Sequence, residues 1–206
     1  MKITQITPPT VEPVTLAEAR DHLKLDTSGS PASHPDDDLV ESLISAARDR
    51  AESYTRRTFC QATWEFYLDR FPAENYIEIP RPPLISITSL KYTLWDGSEE
   101  SLTENTDFVV DTVSHYGRIV LEYSKTWPTD TLHPSNPIKI RFVAGYASTS
   151  SPADYRENVP KVFKQAILLI VGHLYNHRED TIVGVNMMSI PKGAEWLMDG
   201  KRAIKI

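Results

Sequence analysis

The stretch VPKVFKQAILLIVGHLYNHRED, residues 159–180, constrains the rest of the chain more than any other. Pro160 fits a first helical turn, where its missing N–H costs nothing. Phe163, Ala166, Ile167, Ile170 and Leu174 recur at helical spacing on one face, and Leu168, Val171 and Tyr175 add a second apolar face beside it. Lys161, Gln165, Gly172 and Asn176 form a narrow stripe between them. A helix that is apolar around most of its circumference is a buried one. Its continuous apolar run is about half of the ~20 residues a membrane span needs, so a core helix is expected. The other segments, or another subunit, must supply the surface that covers it.

Upstream, residues 1–14 carry three prolines and read as an extended lead-in. Thr15 and Glu18 have capping-box spacing, which predicts a helix over 15–25 with Leu16, Ala19 and Leu23 on one face. Residues 26–35 are a loop by composition. Asp36, Asp37 and Asp38 open a second helix, over 38–59, where N-capping and dipole complementarity explain the acids better than a metal cluster does. Leu39, Leu43, Ala47, Ala51 and Tyr54 are its expected buried stripe, widened by Val40 and Ile44, while Arg48, Asp49, Arg50 and Glu52 are expected to face out.

The period then changes. Residues 63–71 alternate Trp64, Phe66 and Leu68 with Glu65, Tyr67 and Asp69, the pattern of a half-buried strand. Further strands are expected at 76–79, at 84–95 with a break near Ser89, at 101–102, at 108–110, at 118–123 and at 138–146. Asp96-Gly97 predicts a hairpin. Residues 147–158 read as a linker, 181–189 as a loop and 191–198 as a last helical turn. Strands grouped together indicate an α+β fold with antiparallel strands. The expected plan is an antiparallel bundle of three main helices (15–25, 38–59, 159–179) with an inserted antiparallel β domain of about six short strands. By residue number, 1–60 supplies the N-terminal helices, 61–147 the β domain, and 148–206 the linker, central helix and tail; the first and last form one domain.

The chemistry searches are negative. His173 and His177 sit at i, i+4, a spacing that can hold zinc, but Leu174 stands where a metalloprotease needs glutamate. There is no G-x-S-x-G elbow and no phosphate-binding glycine loop. Packing at the edge of the central helix explains the histidine pair without a metal. No enzyme activity and no cofactor are expected. Cys60 is the single cysteine, so no intramolecular disulfide forms and an oxidising compartment is not indicated. No signal-peptide core opens the chain, and a cytoplasmic protein is expected. Residues 151–206 hold 8 Lys/Arg and 6 Asp/Glu, a net +2, so the first 150 residues carry −8 of the total −6. That acidity argues against a protein that grips nucleic acid, though not against one that lets DNA pass. Trp127 and Trp196, in loop-like or terminal contexts, are candidate interface anchors.

The succession VTLAEARDHLKLD, DDDLVESLISAARDRAESYTRRTF, TWEFYLDRFP, IEIPRPPLISITSLKY, IRFVAGY and VPKVFKQAILLIVGHLYNHRE resembles the head–tail connector (adaptor, or head-completion) proteins of tailed bacteriophages. The likeness is to the phage and prophage branch with a β insertion between the second and third helices. It implies a structural virion protein: a closed ring of about a dozen subunits below the portal vertex, joining head to tail and conducting double-stranded DNA without sequence-specific binding. The implied partners are other copies of the chain, the portal protein and a tail or stopper protein, with no membrane. The implied location is the virion neck, after assembly in the bacterial host cytoplasm. On this reading Arg56 and Arg57, and Lys201, Arg202 and Lys205 in the tail, face a partner or the DNA. The competing readings are a metal-dependent hydrolase using His173 and His177, and a DNA-binding packaging factor.

Overall fold

A computed structural model describes residues 2–26, 33–149, 154–178 and 192–203. Among these are four helices and eight strands, and all strand pairing is antiparallel within two sheets. The α+β expectation holds at that level, and the fourth helix stands where a last helical turn was expected. The chain divides into two units, Met1–Thr10 with Cys60–Ala147, and Val11–Phe59 with Ser148–Ile206.

In the first unit, the proline-rich lead-in is not a free extension. Its start is strand β1 (Lys2–Thr7), paired with β2 (Ala62–Leu68). The remaining strands are β3 (Tyr76–Glu78), β4 (Leu84–Thr93), β5 (Glu99–Leu102), β6 (Phe108–Asp111), β7 (Arg118–Leu121) and β8 (Ile138–Ala144). One sheet has the order β1-β2-β8-β4-β5 and the other β3-β7-β6. The alternation read in β2 and β8 is realised: Trp64, Phe66, Ile138, Ile140 and Phe142 point into a core shared with Ile77, Phe108 and Ile119 of the smaller sheet. The break expected near Ser89 is a register shift between Ile87 and Ser89. Asp96-Gly97 makes the hairpin between β4 and β5, with Gly97 at φ 88° and the Asp96 carboxylate accepting from the Ser98 N–H at 2.9 Å. Gly145, at φ 131°, follows β8; a Cβ there would sit 2.7 Å from the Cys60 carbonyl carbon. That approach leaves room for glycine alone.

Glu65 departs from its expected half-exposed place. β2 lies between β1 and β8, and Glu65 is buried there, with Arg141 opposite it at 2.6 Å and the Tyr67 hydroxyl donating at 2.5 Å. Burial raises its pKa, but the Tyr67 hydrogen bond and the Arg141 charge outweigh that and hold it below the ordinary carboxylate value.

The second unit is helical: α1 (Leu16–Leu23), α2 (Asp37–Thr55), α3 (Lys161–Asn176) and α4 (Lys192–Asp199). The Thr15–Glu18 capping box is present, with the Glu18 N–H donating to Thr15 Oγ1 at 3.1 Å and the Thr15 N–H to Glu18 Oε2 at 2.7 Å. α3 buries Phe163, Ala166, Ile167, Ile170 and Val171 against the other helices, and Phe163 stacks on Phe59 at 4.5 Å. Gly172 of α3 lets the His22 ring of α1 approach closely. The expected run of α3 to residue 179 ends at Asn176, and residue 179 lies outside the described residues. So does the expected loop 181–189. The last turn expected at 191–198 is α4, two turns that bury Ala194 and Met198.

α2 buries Val40, Ile44, Ala47 and Ala51 as expected, but its inward side is shifted from the expected stripe. Its buried residues are Val40, Ile44, Ala47, Arg48, Ala51, Glu52 and Thr55, while Leu39, Leu43 and Tyr54 are half-buried. Arg48 and Glu52 are therefore inside, not out. Arg48 holds Glu12 of the lead-in at 2.7 Å, Asp49 at 2.8 Å and Glu52 at 3.5 Å. Glu52 in turn accepts from the Phe59 N–H at 2.6 Å.

The aspartates at the start of α2 tie the unit together. Asp36 occupies the N-cap, but its carboxylate makes no cap bond; it accepts from the Tyr175 hydroxyl at 2.5 Å and pairs with Arg178 at 2.8 Å. Asp37 accepts from Arg20 Nε at 2.7 Å and the His34 N–H at 2.8 Å. The Tyr175 bond holds the Asp36 pKa low, and the Arg20 bond does the same for Asp37. A pKa lower in the folded than in the unfolded chain gives stability that is present above the unfolded value, about 4, and is lost as pH falls through the folded values. The helical unit should therefore lose stability on acidification below about pH 4, and Asp36→Asn with Asp37→Asn should flatten that loss in a melting series against pH.

Candidate partner-facing surface

The end of α2 and the tail after α4 meet at one corner of the helical unit. Thr55 closes the helix by donating its hydroxyl to the Ala51 carbonyl at 2.8 Å, and Arg56 leaves it in the left-handed region, φ 57°. That reversal carries Arg57 back so that its Nε donates to the Lys201 carbonyl at 2.7 Å. The Ala203 N–H donates to the Thr55 carbonyl at 2.8 Å, which fastens the tail to the helix end. The Arg202 guanidinium lies over the Tyr54 ring at 4.7 Å, a cation–π contact. The Tyr54 hydroxyl donates to Asp199, and this bond raises the phenol's pKa.

Four of the seven residues singled out from sequence thus come together here: Arg56, Arg57, Lys201 and Arg202. Arg56, Lys201 and Arg202 are exposed and Arg57 is half-buried. The cations outnumber the two carboxylates of the corner, Asp199 and Glu195. Arg57 and Arg202 hold the tail against α2, while exposed charge pairs of this kind contribute little to stability. Trp196 stands on α4, which leads into the corner, and is 77% exposed. Lys205 lies outside the described residues.

Trp127 is elsewhere and has a different use. It is buried in the β unit, stacked on Phe71 at 5.2 Å, with its indole N–H donating to the Glu74 carbonyl at 2.8 Å. An indole whose face and N–H are both satisfied inside the protein is not an exposed anchor. Residue type alone does not separate it from Trp196. The indole that is exposed on the β unit is Trp95, 66% exposed beside the Asp96-Gly97 turn. Its position next to a hairpin tip was the signal available in the sequence.

The His173 and His177 rings stack at 4.7 Å, and His177 Nδ1 lies 3.0 Å from the His173 carbonyl oxygen. Among the described residues no three His, Cys, Asp or Glu side chains are grouped to hold a metal ion. Among the same residues, no helix is long and apolar enough to cross a membrane.

The family model for the phage gp6-like head-tail connector protein matches residues 13–123. No curated protein matches the chain. Among solved structures, a chain in the virion of a native gene transfer agent (GTA) particle is similar over 100% of this chain and 97% of its own, with a TM-score of 0.75 at 21% identity. A chain in the neck of the empty GTA particle, computed with C6 symmetry, has the same coverage and identity and a TM-score of 0.76. One in the neck of the native GTA particle, computed with C12 symmetry, gives 0.74 at 20% identity, again over 100% and 97% of the two chains. These likenesses are of fold.

Proposed function

The chain belongs to the phage gp6-like head–tail connector family and is a structural connector protein, and we propose that it acts as one subunit of a closed ring in the neck of a phage-like particle. The family match over residues 13–123 carries the reading. The neck structures computed with C6 and C12 symmetry support a ring of about twelve copies. In the proposed assembly the ring lies below the portal vertex, with the portal protein on one side and a tail or stopper protein on the other. Subunits are made in the host cytoplasm and join the particle there. Double-stranded DNA passes through the ring without being held, which suits a chain of net charge −6. The role is structural, and no residue is assigned to a reaction. The helical segments 11–59 and 148–206 act as one domain carrying 60–147 as an insertion, to which the N-terminal strand of residues 2–7 is added. The basic corner, with Trp196 beside it, is a surface that meets a partner or the DNA.

Native mass spectrometry of the purified chain at rising concentration tests the ring. Closed species of about twelve subunits, forming from monomer as concentration increases, are the expected result. A dimer fixed at every concentration would overturn it, because a two-fold contact uses up the surface on which a ring would grow.

A further inference from the structure

Two exposed surfaces of this chain are opposite in charge, and each has a tryptophan at its centre or edge. The first is the end of the β4–β5 hairpin. Trp95 is fixed through its backbone, its N–H donating to the Thr131 carbonyl at 2.9 Å and that of Leu94 to the Ser98 carbonyl at 2.9 Å. Its indole is therefore presented on a rigid support. Asp96 beside it and Asp130, next to the Thr131 that holds it, are exposed, as is Glu100 across the hairpin opposite Tyr92. The Tyr92 phenol records the gathering of acids: burial first, then the charges of Asp130 and Glu100, raise its pKa. Glu99 adds nothing to the acidity, because Lys91 at 3.2 Å and Lys139 at 3.4 Å both pair with it; counting these two lysines, the hairpin end keeps a net charge of −2. The second surface is the basic corner of the helical unit described above.

We infer that the acidic Trp95 hairpin of one copy of this chain docks on the basic corner, Arg56, Arg57, Lys201 and Arg202, of a second copy. The inference rests on the ring reading and names the partner of the corner. A ring requires two different, mutually complementary faces on each subunit, and these surfaces are such a pair. Hairpin against hairpin sets acid on acid, and corner against corner sets base on base. Both like-on-like contacts are disfavoured, so hairpin on corner is the contact that charge selects, and the ring reading makes it head-to-tail. The charges steer and orient the encounter, and the exposed indoles supply the desolvated anchors. DNA is a poorer occupant of the corner. DNA would leave the exposed indole of Trp95 without a role.

The test uses the full chain at low salt, with association followed by sedimentation velocity and folding checked by circular dichroism. One variant carries Glu100→Lys and Asp130→Lys, the other Lys201→Glu and Arg202→Glu. Each alone should associate about tenfold or more weakly than the parent. Mixed in equal amounts, they should recover association, because every hairpin again finds a corner of opposite charge when the two alternate around a ring. Trp95→Ala should weaken association without altering its salt dependence. If the parent assembles while the reversals have no effect, or mixing restores nothing, the inference fails and the ring reading stands. A parent chain monomeric at every concentration overturns the inference, since it requires the two surfaces to bind unaided. If the Lys201→Glu, Arg202→Glu variant instead loses retention of a short DNA duplex with self-association unchanged, the corner belongs to DNA and the inference is overturned.

Discussion

Phe163→Ala should lower the stability of the helical unit by about 3–5 kcal/mol, read as a shift in the urea midpoint of the helical circular-dichroism signal. Phe163 is fully buried on α3 and its ring lies 4.5 Å from that of Phe59, nearly parallel to it at 18°. The substitution removes the transfer contribution of the ring, leaves a cavity that fixed helices fill only in part, and strands Phe59 without its aromatic partner. Phe59 is not free to follow, because its N–H is held by the buried Glu52 carboxylate at 2.6 Å. Gln165→Ala, at an exposed position two residues along the same helix, should change stability by no more than about 0.5 kcal/mol. Equal losses at the two sites would mean that α3 is not organised around the Phe163 face.

That face was legible in the sequence because burial of an apolar side chain needs no particular partner: spacing alone marks it. The same holds for Thr15–Glu18, whose hydrogen bonds are local, and for Asp96-Gly97, whose turn is local too. What escaped depends on partners distant in the chain. The strand at Lys2–Thr7 exists because β2 offers it an edge, and nothing inside KITQIT identifies β2. Arg48 and Glu52 were expected outside because isolated charges avoid the interior. They sit inside because each finds the other, with Glu12 and the Phe59 N–H completing the set. Asp36 likewise has N-cap spacing but spends its carboxylate on Tyr175 and Arg178.

The candidate surface divides in the same way. Arg56 and Arg57 were legible as cations ending a helix. Their meeting with Lys201 and Arg202 was not, because it depends on the tail returning to Thr55. Trp127 and Trp196 look alike in sequence, and only the Glu74 carbonyl and the Phe71 ring distinguish them. Family membership was legible for a different reason. Order and spacing of several elements identify a fold more securely than any one motif, and no reactive side chain is needed for a protein whose work is to hold others in place.

Arg48→Ala should be at least as damaging as the loss of Phe163, about 3–5 kcal/mol, although it removes far less core hydrocarbon. Arg48 is 5% exposed, and its guanidinium bridges three carboxylates of different standing: Glu12, Asp49 and Glu52. Asp49 is well exposed and can turn to water. Glu12 is partly exposed and can do so in part. Glu52 is 4% exposed and fixed by the Phe59 N–H, so its charge would stay inside without the Arg48 guanidinium. Most of the expected loss is therefore the cost of that stranded carboxylate rather than the worth of the pair. This makes the effect separable. Glu52→Gln keeps a carbonyl oxygen for the Phe59 N–H and removes the charge. Combined with Arg48→Met, which refills the volume with an apolar side chain, it should regain a large share of the stability that Arg48→Ala loses. If the double variant is no more stable than Arg48→Ala in the same urea series, the Glu52 charge is not the cause, and the damage comes from releasing the Glu12 lead-in. The two causes differ in a second readout: a released lead-in exposes the chain near Glu12 to proteolysis while the helical signal persists, whereas a stranded Glu52 lowers the melting of the helical unit as a whole.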